Sequence, residues 1–324
     1  MSTAPAISVV VPTRDRAARL PRLLAALEAQ DVADGFEVVV VDDGSRDDTP
    51  QVLQTLAQQS EVPLRTIRFE TSRGPAAARN AGWRAAGAPA VAFTDDDCAP
   101  APGWLRALGA ALEGADIAQG RTELDPAQDQ HRRPFSHFIG VDRETGYYET
   151  CNIAYRSDAL ERVGGFDEGF RHPFGEDTDL AWRVRAAGGR AVFVADALVL
   201  HDVIPLSFRE HVARLPRREG LVRALSRHPG LRQELGVGLF LWPTHPPALA
   251  VAAAAAAAVV RPSGPTVGAV AAAGAWYAHV CRWNTPKPER RRQWATVVPL
   301  RLAADLYEIA VLTRASLRHR TALL

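Results

Sequence analysis

Three acidic clusters, one arginine-bearing segment and one histidine stand where this chain could do chemistry. Asp95, Asp96 and Asp97 directly follow the apolar run Ala90 to Phe93. Adjacent carboxylates repel one another unless a cation sits among them. Magnesium or manganese bound there would bridge the oxygens of a diphosphate and stabilise the charge that grows on it as it leaves. An acidic turn or helix cap uses the same residues, so the triplet acquires meaning only from its neighbours. Asp42 and Asp43 repeat the placement after another apolar run, with Gly44 and Ser45 permitting a turn. A carboxylate there can accept a hydrogen bond from the imide of a base or from a ribose hydroxyl, although Asp-Gly-Ser is also ordinary turn chemistry. The segment Arg73 to Gly82 sets a turn before a helix of small residues, with Arg73, Arg79 and Asn80 available for phosphate or base contacts. Gly175-Glu176-Asp177-Thr178-Asp179 opens a further helix. Acidic residues in a first turn stabilise the helix dipole in many proteins, and one that faces a cleft can also take a proton from an attacking hydroxyl. His201, before Asp202, can add a nitrogen ligand to a metal.

These residues must be positioned by regular elements, and the apolar periodicity says which. Short β-branched runs at Ile7 to Val11, Phe36 to Val41, Leu64 to Phe69 and Ala90 to Phe93 alternate with helical patterns. The helical stretches carry Leu20, Leu23, Leu24 and Leu27, then Asp48 to Gln59, then Ala76 to Ala86. The order βαβαβαβ predicts a Rossmann-like, mainly parallel sheet flanked by helices, with ligands beyond the carboxyl ends of the strands. Pro12-Thr13-Arg14, Asp42 to Ser45 and the aspartate triplet therefore converge on one rim. Less regular sequence is expected from about 116 to 155, then a helix from Glu176 to Ala187 and a strand ending at His201.

Charge divides the chain. After residue 204 there are 17 basic against 6 acidic residues, although the net charge of the whole is only +1. The acidic first part argues against a nucleic-acid enzyme, whose affinity comes from a basic surface. Cys98, Cys151 and Cys281 are odd in number and widely spaced, which favours neither a disulfide framework nor a zinc site and fits a reducing cytosol. The first apolar run is too short for a secretion signal.

In order along the chain, Val9 to Arg14, Val41 to Ser45, Arg73 to Gly82, Phe93 to Leu105, Gly164 to Glu168 and Gly175 to Arg183 resemble the family-2 inverting glycosyltransferases, which have the A-type glycosyltransferase fold. The resemblance covers roughly residues 6 to 204. It implies that Pro12, Thr13, Arg14, Asp42, Asp43, Arg73, Arg79, Asn80 and Asp96 surround the nucleotide, with Asp95 near the ribose. It further implies Mg2+ or Mn2+ on Asp95, Asp97 and His201, Asp177 as general base with Glu176 beside it, and an acceptor side shaped by Asn152, Gly165, Phe166 and Asp167. The implied reaction is a single displacement with inversion, from a nucleoside-diphosphate sugar to a saccharide or lipid-linked acceptor of the cell envelope. Cys151 departs from the small residue common before this Asn in the family. The processive members carry Gln-x-x-Arg-Trp, whereas Arg290 to Trp294 has another order, so one sugar per encounter is expected.

Residues 205–324 read as a basic, Ala-rich helical region. An Arg-rich helical segment runs to about Arg232, followed by apolar stretches at Gly236 to Val260 and Pro265 to Cys281 and a basic patch from Lys287 to Arg292. The first stretch is long enough for a bilayer, and flanking Arg would keep both ends in the cytosol. The expectation is a membrane hairpin over 236–281, against a soluble helical hairpin favoured by Pro243, Pro246 and Pro247. Clustered Arg would be drawn to an anionic membrane surface, where a lipid-linked acceptor is found. The cytoplasm, or its membrane face, is the expected location. Two other readings stay open: a sugar nucleotidyltransferase, disfavoured by Pro12-Thr13-Arg14-Asp15 where a Gly-rich loop would stand, and a catalytically silent scaffold of the same fold.

Overall fold

The computed structural model describes residues 5–33, 35–235, 238–283 and 294–324. The chain divides into two compact units, Met1–Arg132 with His137–Ile204, and Arg133–Ser136 with Pro205–Leu324.

The first unit begins as the periodicity predicts: β1 (Ile7–Thr13), α1 (Leu20–Glu28), β2 (Phe36–Asp42), α2 (Thr49–Gln59), β3 (Leu64–Arg68), α3 (Pro75–Ala85) and β4 (Ala90–Thr94). It continues through β5 (Cys98–Pro100), α4 (Trp104–Leu112), β6 (Ile117–Leu124), β7 (Asn152–Arg156), α5 (Ser157–Val163), α6 (Glu176–Ala186) and β8 (Ala191–His201). One sheet of eight strands results, in the order β3-β2-β1-β4-β7-β6-β8-β5. The β3-β2-β1-β4 half is parallel, while β7 runs antiparallel to both β4 and β6. With β6 parallel to β8 and β5 antiparallel to it, four of the seven pairings are parallel and the sheet is mixed. The stretch expected to be irregular supplies two strands at its ends, β6 and β7.

Alternation along the strands makes two cores. Val9, Val11, Val38 and Val40 pack with Leu20, Leu23, Leu24 and Leu27 on one face. Val10, Val39, Val41 and Phe93 pack with Ala76, Ala78 and Leu180 on the other. Strands buried on both faces read as unbroken apolar runs because successive side chains point to opposite layers.

The second unit is helical: α7 (Phe208–Arg214), α8 (Glu219–Arg227), α9 (Leu231–Glu234), α10 (His245–Val260), α11 (Gly264–Trp283) and α12 (Trp294–His319). Helices α10 and α11 form the expected hairpin, but no described helix is long and apolar enough to cross a membrane. The first apolar stretch falls short because regular structure starts only at His245, behind Pro243, leaving a helix of 16 residues where a span needs about 20. The basic patch Lys287 to Arg292 lies outside the described residues.

Candidate active site

Parallel pairing in register brings the strand ends together. Thr13 stands opposite Asp42, and β4 runs beside β1 with Phe93 opposite Val10. The Pro12-Thr13, Asp42-Asp43 and Asp95 to Asp97 clusters thus share one edge. From the other half, β7 begins at this edge with Asn152 opposite Thr94, and β8 ends with His201 opposite Cys98.

The rim is acidic, and three arginines that the sequence reading did not single out lie against it. Thr13 Oγ1 donates to Asp96 at 2.7 Å, and Arg16 Nε lies 3.4 Å from the same carboxylate. Arg19 Nη1 stands 3.2 Å from Asp97, and Arg22 pairs with Asp125 and Asp202. Burial, reinforced by the neighbouring Asp97, pushes Asp96 up to about 7. Burial also raises Asp97, against the pull of His201. Such crowding of half-neutralised carboxylates is what a cation relieves.

Asp97, Cys98 and His201 bring three ligand atoms within 4.8 Å of one another. His201 Nδ1 lies 2.7 Å from the main-chain oxygen of Asp202, a contact that puts the proton on Nδ1 and leaves the Nε2 lone pair facing Asp97 at 3.7 Å. Burial holds the Cys98 thiol well above its usual range, so it stays protonated and is a poor ligand. A carboxylate with an imidazole nitrogen suits Mn2+ better than Mg2+, which favours all-oxygen ligands. Asp95 lies outside this cluster. Its carboxylate accepts from Arg79 at 2.9 Å.

Arg79 joins the rim to helix α6. It is buried, and its other amino group donates to Glu176 at 2.9 Å. Burial opposes its charge, but Asp95 and Glu176 outweigh that and keep the guanidinium firmly protonated. Each amino group of Arg79 is thus held by a carboxylate, while its Nε has no hydrogen-bond partner among the described residues.

Glu176 and Asp177 differ in availability. Both oxygens of Glu176 are used, one by Arg79 and the other by the main-chain N–H of Phe174 at 2.8 Å. Asp177 is half-buried and accepts from Thr178 N through Oδ1; among the described residues, none donates to Oδ2. Burial first, and the adjacent Glu176 second, raise its proton affinity well above the usual carboxylate range. Gly175, at φ +96, lets the chain turn sharply into this helix.

Several expected contacts prove to be scaffold. Asn152 is fully buried: its Oδ1 accepts from Trp104 Nε1 at 2.7 Å, and its Nδ2 donates to the main-chain oxygens of Arg121 and Ala197. With its amide saturated, it cannot reach an acceptor. A Cβ on Gly120 would overlap that amide. Asn80 is likewise consumed by Phe166, Glu168 and Trp83, and Phe166 belongs to the core beside Gly165. Asp167 caps its own turn by accepting from Gly169 N. Asp43 accepts from Ser72 Oγ and from the N–H groups of Arg73 and Gly74, and so fixes the turn into α3 rather than facing a ligand. Asp42 differs. It is buried, accepts from Ser45 N through Oδ1, and its Oδ2 has no hydrogen-bond partner among the described residues, with Arg68 Nε in an ion pair at 3.4 Å. Arg14 and Arg73 are exposed at the rim, Arg73 lying over the Phe69 ring.

Glu149 is a further residue that sequence reading missed. Its loop is tied to α6 by Thr178 Oγ1 on Tyr147 O and Trp182 Nε1 on Gly146 O. Its Oε2 is covered and has no hydrogen-bond partner among the described residues. Burial pushes the carboxyl up to about 7, and its charge adds to the proton affinity of Asp177.

Comparison with known proteins decides the family. Residues 8–174, just over half the chain, match the model described as Glycosyl transferase family 2. The chain belongs to that family. Similar members include the pre-mycofactocin glycosyltransferase of Mycobacterium tuberculosis, 32% identical over 73% of this chain and 52% of that protein. The validoxylamine A glucosyltransferase of Streptomyces hygroscopicus subsp. jinggangensis is 31% identical over 58% of this chain and 53% of its own. The chain thus spans about half the length of these family members. The mannosyltransferase PcManGT from Pyrobaculum calidifontis, solved with GDP-Man and Mn2+, shares the fold at a TM-score of 0.60 and 22% identity, over 96% of this chain and 87% of that one. The A-type fold, with its mixed sheet and C-terminal helical region, is therefore that of the family.

Proposed function

We propose that this chain is a metal-dependent inverting glycosyltransferase that moves one sugar from a nucleoside-diphosphate sugar to an acceptor hydroxyl. The position of Asp177 carries the reading. It is the half-exposed carboxylate at the start of α6 with an oxygen left over, and it is connected through Glu176 and Arg79 to Asp95 on the acidic rim. Its raised proton affinity suits a general base. The base takes the proton as the acceptor oxygen attacks the anomeric carbon and the diphosphate leaves from the opposite face.

Asp42, with its unused buried oxygen, accepts from the imide of the base or from the ribose, and Asp95 faces the ribose. Pro12, Thr13, Arg14 and Arg73 border the nucleotide. Arg16 and Arg19 lie where diphosphate charge arrives. Asp97 and His201 would hold Mn2+ or Mg2+, which when bound supplies positive charge to the departing diphosphate. The manganese in the PcManGT complex supports that choice.

The acceptor is a saccharide or lipid-linked hydroxyl in cell-envelope synthesis, met at the cytoplasmic face of the membrane or in the cytoplasm. Supporting this, the turn between α10 and α11 exposes Val259, Val260 and Val267 beside Arg261, an apolar tip suited to the bilayer interface. The test is nucleoside diphosphate release from a panel including GDP-mannose and UDP-N-acetylglucosamine, with Mn2+ or Mg2+, by the parent chain and by Asp177→Asn. Release by the parent and its loss in the variant are expected. Full activity of the variant removes Asp177 as base, and no release from any donor favours the silent scaffold.

A further inference from the structure

The helical unit contains a polar cluster that the transfer reaction does not use. His245 opens α10, and Asp305 and Glu308 stand three residues apart on α12, hence on one face. Their ligand atoms lie within 4.8 Å of one another. We propose that His245, Asp305 and Glu308 form a second divalent-metal site, built for a transition ion such as Mn2+, Co2+ or Zn2+.

The imidazole is decisive. His245 is fully buried, and its Nδ1 lies 2.8 Å from the main-chain oxygen of Leu324. Only an N–H is stable against a carbonyl, so in the neutral ring the proton is on Nδ1 and Nε2 presents a lone pair. That Nε2 has no hydrogen-bond partner among the described residues. It faces Glu308 Oε2 at 3.8 Å, too far for a hydrogen bond and close to the roughly 3.4 Å between two ligands of one tetrahedral ion. Protonated, the ring pairs with Glu308 and Asp305, whose proton affinity it lowers; with that proton replaced, a divalent cation takes the same position between the nitrogen and the two carboxylates.

Each carboxylate is also oriented from behind. Glu308 Oε1 accepts from Arg218 Nε at 2.9 Å and Trp242 Nε1 at 3.2 Å. Asp305 Oδ2 accepts from the Tyr277 hydroxyl at 2.8 Å, and the Thr244 side chain also lies against this carboxylate. This leaves Glu308 Oε2 for an ion and holds the Asp305 carboxylate beside it, in the manner of outer groups that fix metal ligands. Asp305 and Glu308 line a cavity of about 480 Å³ that also meets Thr244, Arg301 and Phe135. It offers an entry route and room for water ligands. One imidazole nitrogen with two carboxylate oxygens suits borderline ions better than Ca2+ or Mg2+, which favour all-oxygen sites. Such an ion would clamp the start of α10 to α12.

The test is metal content of the chelator-stripped full chain after dialysis against Co2+ or Zn2+, read by mass spectrometry of the metal, with Co2+ absorption as a signature of bound nitrogen. His245→Gln and Glu308→Gln should each lose one equivalent, or bind it 10-fold to 100-fold more weakly, with unchanged circular dichroism. Asp97→Ala should keep that equivalent. If the parent and both glutamine variants bind the same amount, or the Asp97→Ala chain binds none, the second site does not exist. Retention of every equivalent by Asp97→Ala counts only against the active-site metal.

Discussion

Replacing Glu149 with Gln isolates the cost of a carboxyl placed behind Asp177. The group sits at about 7 in the folded chain against an ordinary 4.5. Below pH 4.5 it is protonated in both folded and unfolded chains, and its contribution is complete. As pH rises towards 7 the unfolded chain releases the proton while the folded chain retains it, so stability falls and levels off above 7. A difference of that size, at about 1.4 kcal/mol per tenfold change in proton affinity, sets an upper bound of about 3.5 kcal/mol. The residue as a whole is only half-buried, but the orphaned oxygen is covered, so most of that bound should survive. The substituted amide does not titrate. The stability of the variant minus that of the parent should therefore increase by about 2–3 kcal/mol between pH 4.5 and 7.5, measured by denaturant unfolding at each pH. In the same variant the acid limb of the rate profile should move to lower pH, because one of the charges that raise Asp177 is gone. A stability difference independent of pH would refute the assignment of Glu149 as a proton-retaining carboxyl.

Asp177→Asn should lower kcat by about 10²-fold to 10⁴-fold while leaving donor affinity by calorimetry nearly unchanged. The parent rate should rise with pH through an ionisation above the ordinary carboxylate range, as Asp177 loses its proton, and a limb near pH 4 would contradict that burial. Chelation should abolish both nucleoside diphosphate release and the thermal shift given by the donor, with Mn2+ restoring them. Asn152→Ala strands the Trp104 N–H and two main-chain oxygens in the core, and should cost about 3 kcal/mol by chemical denaturation. Asp42→Ala should weaken nucleotide binding without moving the melting temperature by more than a few degrees.

The alternating half of the fold was legible because its strands are buried on both faces and each is followed by a helix with its own apolar stripe. Strand β6 was not, since Ile117–Leu124 mixes Gln119, Arg121, Thr122 and Glu123 with its apolar residues, and its partners come from distant segments. Three-residue β5 carries no periodicity at all. The rim aspartates could be placed by their position after strands. Arg16, Arg19 and Arg22 could not, because nothing in their spacing says that the start of α1 folds over the triplet. Asn80 and Asn152 lie in family motifs as expected, yet their amides are spent on the scaffold, a distinction only hydrogen-bond geometry reveals. In the second unit apolar length suggested a span. Helix length is set instead by where prolines allow regular structure to start.

Arg79 is gripped by Asp95 from one side and by Glu176 from the other, with no second cation shared between them in the geometry described. Such a strut ties the acidic rim to the start of α6. A ligand hydroxyl that engages Asp95 redistributes the attraction on the guanidinium, and the far carboxylate, next in sequence to the base, feels it at once. On the proposed reading, a donor that engages Asp95 shifts the basicity of Asp177 before the acceptor binds.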